Sequence, residues 1–222
     1  MQVQGVITGD IVDSTKVESN KRTELLSAIK DMTADINQYI DNSVKIEIYR
    51  GDSFQIIIPN PLEALRIAIL TRLGLQCRTP DTKNKKRQEN WDARISLGIG
   101  SISFNSSTIV ESDGEAFRNS GREFDLLGKN ERMAVSTPWI EINEELKVST
   151  KFADILISNW SYSQAEVVYH YLLERITQKE LAKKLGLSPQ ALNKRLVGAK
   201  VDAIELYLTR FEQIIKERHG AE

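Results

Sequence analysis

Over the first hundred residues the spacing of apolar positions switches repeatedly between two and three to four, and each switch marks an element. Residues 2–9 read as a strand. From Asn20 to Ile40 the apolar positions Leu25, Ile29, Met32, Ile36 and Tyr39 share one helical face. "VKIEIYR" (44–50) alternates and predicts a strand, as does "SFQIII" (53–58); the short glycine-containing link makes them a hairpin. Pro59 and Pro61 end that strand, and Pro61 suits a helix start. Leu62, Leu65, Ile69 and Leu73 then mark a second helix, and "ARISLGIGSISF" (93–104) a further strand. The order βαββαβ predicts an α+β, ferredoxin-like antiparallel sheet with its helices on one face. Between helix and last strand, residues 78–92 are polar and basic and read as a solvated loop.

Beyond Phe104, residues 112–127 read as helical, with Phe117, Phe124 and Leu127 as core candidates, and 132–137 as a strand. From about Thr150 the pattern is of short helices only. We therefore expect a first domain over 1–145 and a small all-α domain over 146–222. The second contains "ITQKELAKKLGLSPQALNKRL" (176–196), the clearest motif in the chain. Leu181, Ala182 and Leu185 face inward, Gly186 permits a tight turn, and Ser188-Pro189 caps and opens the next helix. This is the helix-turn-helix pattern, whose second helix enters the DNA major groove. Ser188, Gln190, Asn193, Lys194 and Arg195, with Lys179 and Lys183, are the candidate DNA contacts. Val167, Tyr171 and Ile176 mark one flanking helix; Ile204, Leu208, Phe211 and Ile215 mark the other, whose stripe closes the small core or pairs with a second subunit.

Charge sharpens this picture. The 222 residues carry a net charge of −1, so the average points neither to nucleic acid nor to membrane. Between Arg175 and Lys200, however, seven basic residues face one acid, Glu180, an excess of six that leaves the rest of the chain at −7. A single cysteine, Cys77, excludes an intramolecular disulfide and two-cysteine zinc sites. No signal sequence and no apolar run near the ~18 residues of a membrane span is present, which predicts a cytoplasmic protein.

The remaining chemistry lies in "GVITGDIVDST". In the predicted sheet the third strand runs antiparallel beside the first, so Asp10, where strand one runs out, lies near Asp52, where strand three begins. Adjacent carboxylates repel unless a cation neutralises them. Hard oxygen ligands at a glycine-flanked turn suit Mg²⁺ or Mn²⁺ with phosphate oxygens as the other ligands. The plain alternative makes Asp10 a turn or cap acid and Asp52 a hairpin residue.

"TGDIVDST" resembles the first metal-binding motif of class III nucleotidyl cyclases, and "RGDSFQIIIPNPLEALRIAI" their Gly-Asp hairpin and following helix. "GEAFRNSGR" (114–122) is similar in spacing to a cyclase helix that carries an arginine. The likeness covers roughly residues 3–137. It implies metal ligation by Asp10 and Asp52 with the Ile11 backbone nearby, and catalytic roles for Arg122 and Asn119. It places Ile48 where a lysine reads adenine, Glu111 where its partner acid lies, and Arg118 where asparagine is usual. Asp13 replaces a glycine and, with Ser14 and Thr15, is a further candidate for nucleotide contact. The late phosphate-binding lysine has no counterpart. The whole chain resembles the SatD-like family of small bacterial proteins, which joins a "GDIVDS" start and a "GDSFQ" hairpin to a C-terminal helix-turn-helix similar to sigma-factor region four.

The expectation is a homodimeric DNA-binding regulator whose cyclase-like domain senses a nucleoside triphosphate or another nucleotide through Mg²⁺ or Mn²⁺. The alternatives are an active nucleotidyl cyclase or related phosphoryl-transfer enzyme governed by its small domain, and a degenerate domain serving as a dimerisation scaffold.

Overall fold

The computed structural model describes residues 2–49, 51–80, 90–104, 106, 108–109 and 111–219. Over its first half run β1 (Val3–Ile11), α1 (Ser19–Asn37), β2 (Lys45–Tyr49), β3 (Ser53–Ile58), α2 (Ala64–Cys77) and β4 (Ala93–Phe104). Then come β5 (Asp113–Gly114), α3 (Glu115–Leu126), β6 (Met133–Ser136) and five helices: α4 (Ile140–Ser158), α5 (Tyr162–Glu174), α6 (Gln178–Lys184), α7 (Pro189–Ala199) and α8 (Val201–His219). The sheet has the order β2-β3-β1-β4-β5, with β6 also paired to β4. All neighbours are antiparallel except β4 and β6. Most of the basic loop expected over 78–92 lies outside the described residues.

Alternation along β1 divides the sheet's two faces. Val3, Ile7 and Ile11 point into a large apolar core with Leu25, Ile29, Met32 and Ile36 of α1 and with α2. Tyr39, expected on the α1 stripe, is 42% exposed because the helix stops at Asn37 and the chain turns outward. α2 is buried on every side from Ala64 to Gln76, since α1 and α5 both pack against it.

The two helices of the βαββαβ unit, α1 and α2, share one face of the sheet, and α3, which follows that unit, covers the other. Val6 and Ile57, on the opposite face, form a second core with Ala116 and Phe117 of that helix. The approach is close because Gly98 has no side chain: a Cβ there would lie 2.2 Å from the Ala116 carbonyl oxygen. Gly98→Ala is expected to lose about 2–3 kcal/mol in urea unfolding, the scale of overpacking against backbone that cannot yield.

α4 runs unbroken across the boundary expected at 145–146, and the large core continues through it into α5–α8, including Leu146, Ala153, Tyr169, Leu192 and Phe211. An ion network crosses the same seam. Arg72 of α2, fully buried, donates to both carboxylate oxygens of Asp92 (3.0 and 2.8 Å), to Asp154 of α4 (2.7 Å) and to Ser158 (2.9 Å). Arg132 adds a 2.6 Å bond to Asp92. Burial opposes the charge on Asp92, but the two guanidiniums more than offset it and hold the carboxyl below its usual range. The stripe Ile204, Leu208, Phe211 and Ile215 of α8 is buried within the chain.

Candidate metal and nucleotide site

Asp10 is the penultimate residue of β1, inside the strand and not beyond its end, with Ser53 opposite on β3 and Arg94 opposite on β4. Asp52 sits in the turn before β3. Gly51 takes a φ of 81° there, a left-handed conformation that glycine reaches at no steric cost. The Ile11 amide donates to the Asp52 carbonyl at 3.0 Å, which locks the turn to the end of β1. Hairpin and strand end thus bring Asp10, Ile11 and Asp52 together.

Each carboxylate has different company. Asp52 accepts from the buried Ser14 hydroxyl at 2.7 Å and from Ser53 at 3.4 Å. Asp10 has one oxygen 3.9 Å from Arg94 Nη1, while its other oxygen, Oδ1, is buried with no hydrogen-bond partner. Burial, and to a lesser extent the Asp52 charge, raise the pKa of Asp10 above the ordinary carboxylate value; Arg94 acts the other way. Arg94 lies over the Phe124 ring and donates to the Leu127 carbonyl at 3.2 Å, but its Nε is likewise buried and unpaired. Sequence reading missed Arg94. Its signal was a lone cation opening an otherwise apolar strand, and only the β1–β4 register gives it meaning.

These facts test whether a divalent cation fits. The donors are hard oxygens, one is buried without a partner, and two carboxylates repel each other in its absence. Among the described residues no group of three or more His, Cys, Asp or Glu forms a metal cluster. Asp10 and Asp52 would therefore hold the ion as a pair beside the Ile11 backbone. Water or phosphate oxygens would complete a Mg²⁺ or Mn²⁺ shell.

Asp10→Asn gives a signed test. Because folding raises the Asp10 pKa, the fold favours its protonated form. That contribution is present below the unfolded carboxylate pKa and is lost as pH rises through the folded one. Near neutral pH the asparagine variant is expected to melt about 1–2 °C higher than the parent, a gap that closes on acidification. Thermal melts across the acid range check this.

The other expected residues are dispersed. Asp13 adopts a left-handed φ of 53° and pairs with Lys16 at 3.0 Å in solvent, and Thr15 is exposed beside it. Ile48 packs against the large apolar core opposite Phe54, because strand alternation turns it away from the face that carries Asp10. Glu111 is exposed and accepts from Ser106 at 2.9 Å. On α3, Asn119 donates to the Ile99 carbonyl at 2.8 Å and Arg118 pairs with Asp113 at 3.0 Å. Arg122 lies exposed, away from the face that buries Ala116 and Ser120. None of these last four hydrogen-bonds or ion-pairs with Asp10 or Asp52 among the described residues.

In the C-terminal helices, Thr177 and Ser188 cap α6 and α7, and Gly186 in the intervening turn has a φ of 62°. Lys179, Lys183, Gln190, Asn193 and Lys194 are exposed. Arg195 turns back to Glu166 on α5 at 3.6 Å, and Arg175 and Lys184 are paired with Glu63 and Glu174. Three of the seven basic residues thus have an acidic neighbour within ion-pair distance.

The SatD family matches residues 5–216 of the chain. This protein belongs to the SatD family. Among curated proteins none matches it. Solved structures similar to this SatD protein include adenylate cyclases from Trypanosoma brucei in their monomeric state (16% identity, 61% of this chain and 73% of that one, TM-score 0.38). The active GGEEF domain of a diguanylate cyclase from Vibrio cholerae is similar at 16% identity, 60% and 83% coverage and a TM-score of 0.38. A bacterial light-regulated adenylyl cyclase is similar at 15%, with 60% and 75% coverage and a TM-score of 0.36. No helix among the described residues is long and apolar enough to cross a membrane.

Proposed function

We propose that this SatD protein binds a nucleotide through a divalent cation held by Asp10 and Asp52, and that its N-terminal part is a cyclase-type, ferredoxin-like phosphoryl-transfer domain. One observation carries the reading: Asp10 Oδ1 and Arg94 Nε are both buried and both unsatisfied, on residues paired across neighbouring strands. A lone carboxylate oxygen calls for a cation and a lone guanidinium N–H for an anionic acceptor; a metal-bound phosphate offers both. The cation would neutralise the acid pair and draw charge from phosphate oxygens. The chain's own part is to hold Asp52 with Ser14 and the Ile11 amide, and to aim Arg94 by seating it on Phe124. The strand order β2-β3-β1-β4 supports the domain type.

The test is incubation with ATP, GTP, CTP or UTP in Mn²⁺, with product chromatography and thermal melting in parallel. Product formation supports the enzyme, stabilisation without turnover supports a nucleotide sensor, and neither result refutes both.

A second reading rests on the outer face of α7, where Gln190, Asn193 and Lys194 stand exposed beside Lys179 and Lys183 of α6. We infer a helix-turn-helix that binds duplex DNA. Lys194→Ala is expected to weaken binding in a salt-dependent titration and to reduce the salt slope by about 1. Unchanged affinity would remove this reading.

A further inference from the structure

A cavity of about 290 Å³ opens where α2 meets α5 and α8, remote in sequence from the acid pair. Its walls carry opposite charge. On one side stand Arg66, which is 4% exposed, and Arg175, which follows α5. Both guanidiniums bond the same carboxylate, Glu63; Arg66 also donates to the Leu172 carbonyl at 2.9 Å, and Arg175 reaches Glu63 at 3.1 Å. Two cations sharing one anion leave that wall with a positive surplus. Burial lowers the Arg66 pKa, and its Arg175 neighbour adds to the effect against Glu63. Across the cavity Glu205 accepts a phenol hydrogen bond, from Tyr171 at 2.8 Å, and no ion pair among the described residues, while Glu212 has Lys216 at 3.7 Å and also bears on Arg66. That wall has a negative surplus.

A purely anionic ligand would meet the two glutamates, and a purely cationic one the two arginines. A molecule carrying both charges a few bonds apart satisfies each wall. The volume, at the lower bound of ordinary ligand pockets, restricts it to a small metabolite. We propose that this cavity binds a free α-amino acid, its carboxylate toward Arg66 and Arg175 and its ammonium toward Glu205 and Glu212. The site joins α2 to the C-terminal helices, so a bound amino acid clamps the two parts of the chain. It does not depend on the metal and nucleotide reading.

The experiment is thermal melting in EDTA with each of the common L-amino acids at millimolar concentration. Acetate and methylammonium serve as the separate halves of the ligand, and calorimetry is run on any hit. At least one amino acid is expected to raise Tm by about 2 °C or more, with neither half reproducing it. Thr209→Trp fills the cavity from the exposed face of α8 and is expected to abolish the shift. Should that variant fold poorly, Glu205→Gln keeps an acceptor for Tyr171 while removing a charge facing the ammonium. It is expected to weaken binding at least about tenfold. No shift with any amino acid, an equal shift with acetate alone, or full binding by Glu205→Gln overturns the proposal.

Discussion

Asp52→Asn is expected to lower Mn²⁺-dependent nucleotide affinity by at least about 100-fold, roughly 2.8 kcal/mol at 1.4 kcal/mol per tenfold, while the protein stays folded. Both halves follow from what Asp52 touches. Its backbone carbonyl takes the Ile11 amide at 3.0 Å, a bond the substitution leaves intact. An asparagine side-chain oxygen can still accept from Ser14, which donates to Asp52 at 2.7 Å. What disappears is the second negative charge beside Asp10, without which a divalent cation faces a single carboxylate. Titration in Mn²⁺ with a fluorescent nucleotide, beside circular dichroism of the same sample, separates the two effects. Parental affinity in the variant would show that the acid pair does not bind the metal.

The largest stability effect is expected elsewhere, at Asp92. Removing its carboxylate with Asp92→Ala leaves the fully buried Arg72 with Asp154 as its one ionic partner among the described residues. Breaking one side of a buried ion pair costs about 3–5 kcal/mol. The pH dependence has a definite sign. The folded Asp92 pKa lies below its ordinary value, so the stability this group confers is full above the unfolded carboxylate pKa. It is lost as pH falls toward the folded pKa. Urea unfolding at several pH values should show the parent losing stability on acidification more steeply than Asp92→Ala.

Legibility in the sequence followed the range of the interactions involved. β4 at Ala93–Phe104 and the hairpin of β2 and β3 could be read because alternation and a glycine link are local signals. α4 could not: Val148, Phe152 and Ile155 on its exposed side are as apolar as the residues it buries, which blurs the stripe that marks a helix. The contact of Asp10 with the Asp52 turn was readable because pairing the first and third strands puts those ends side by side.

Roles assigned by motif resemblance depend on which face a strand or helix presents, which local pattern alone does not set. Ile48 fell on the core side of β2, and Asn119 is spent on the Ile99 carbonyl. Arg195, which looked like part of a basic face, answers Glu166 on another helix.

The sequence by itself determined the element order of the first hundred residues, the nearness of two acids, the turn after α6 and the Ser188 cap of α7. Each is set by neighbours along the chain. Only the tertiary structure decided that α3 covers the second sheet face, that Arg94 stands beside Asp10, and that Arg72 ties α2 to α4. It alone opened a cavity between walls of opposite charge. These depend on register and on packing between segments far apart in sequence, where the energy of one side chain is set by partners that local pattern cannot name.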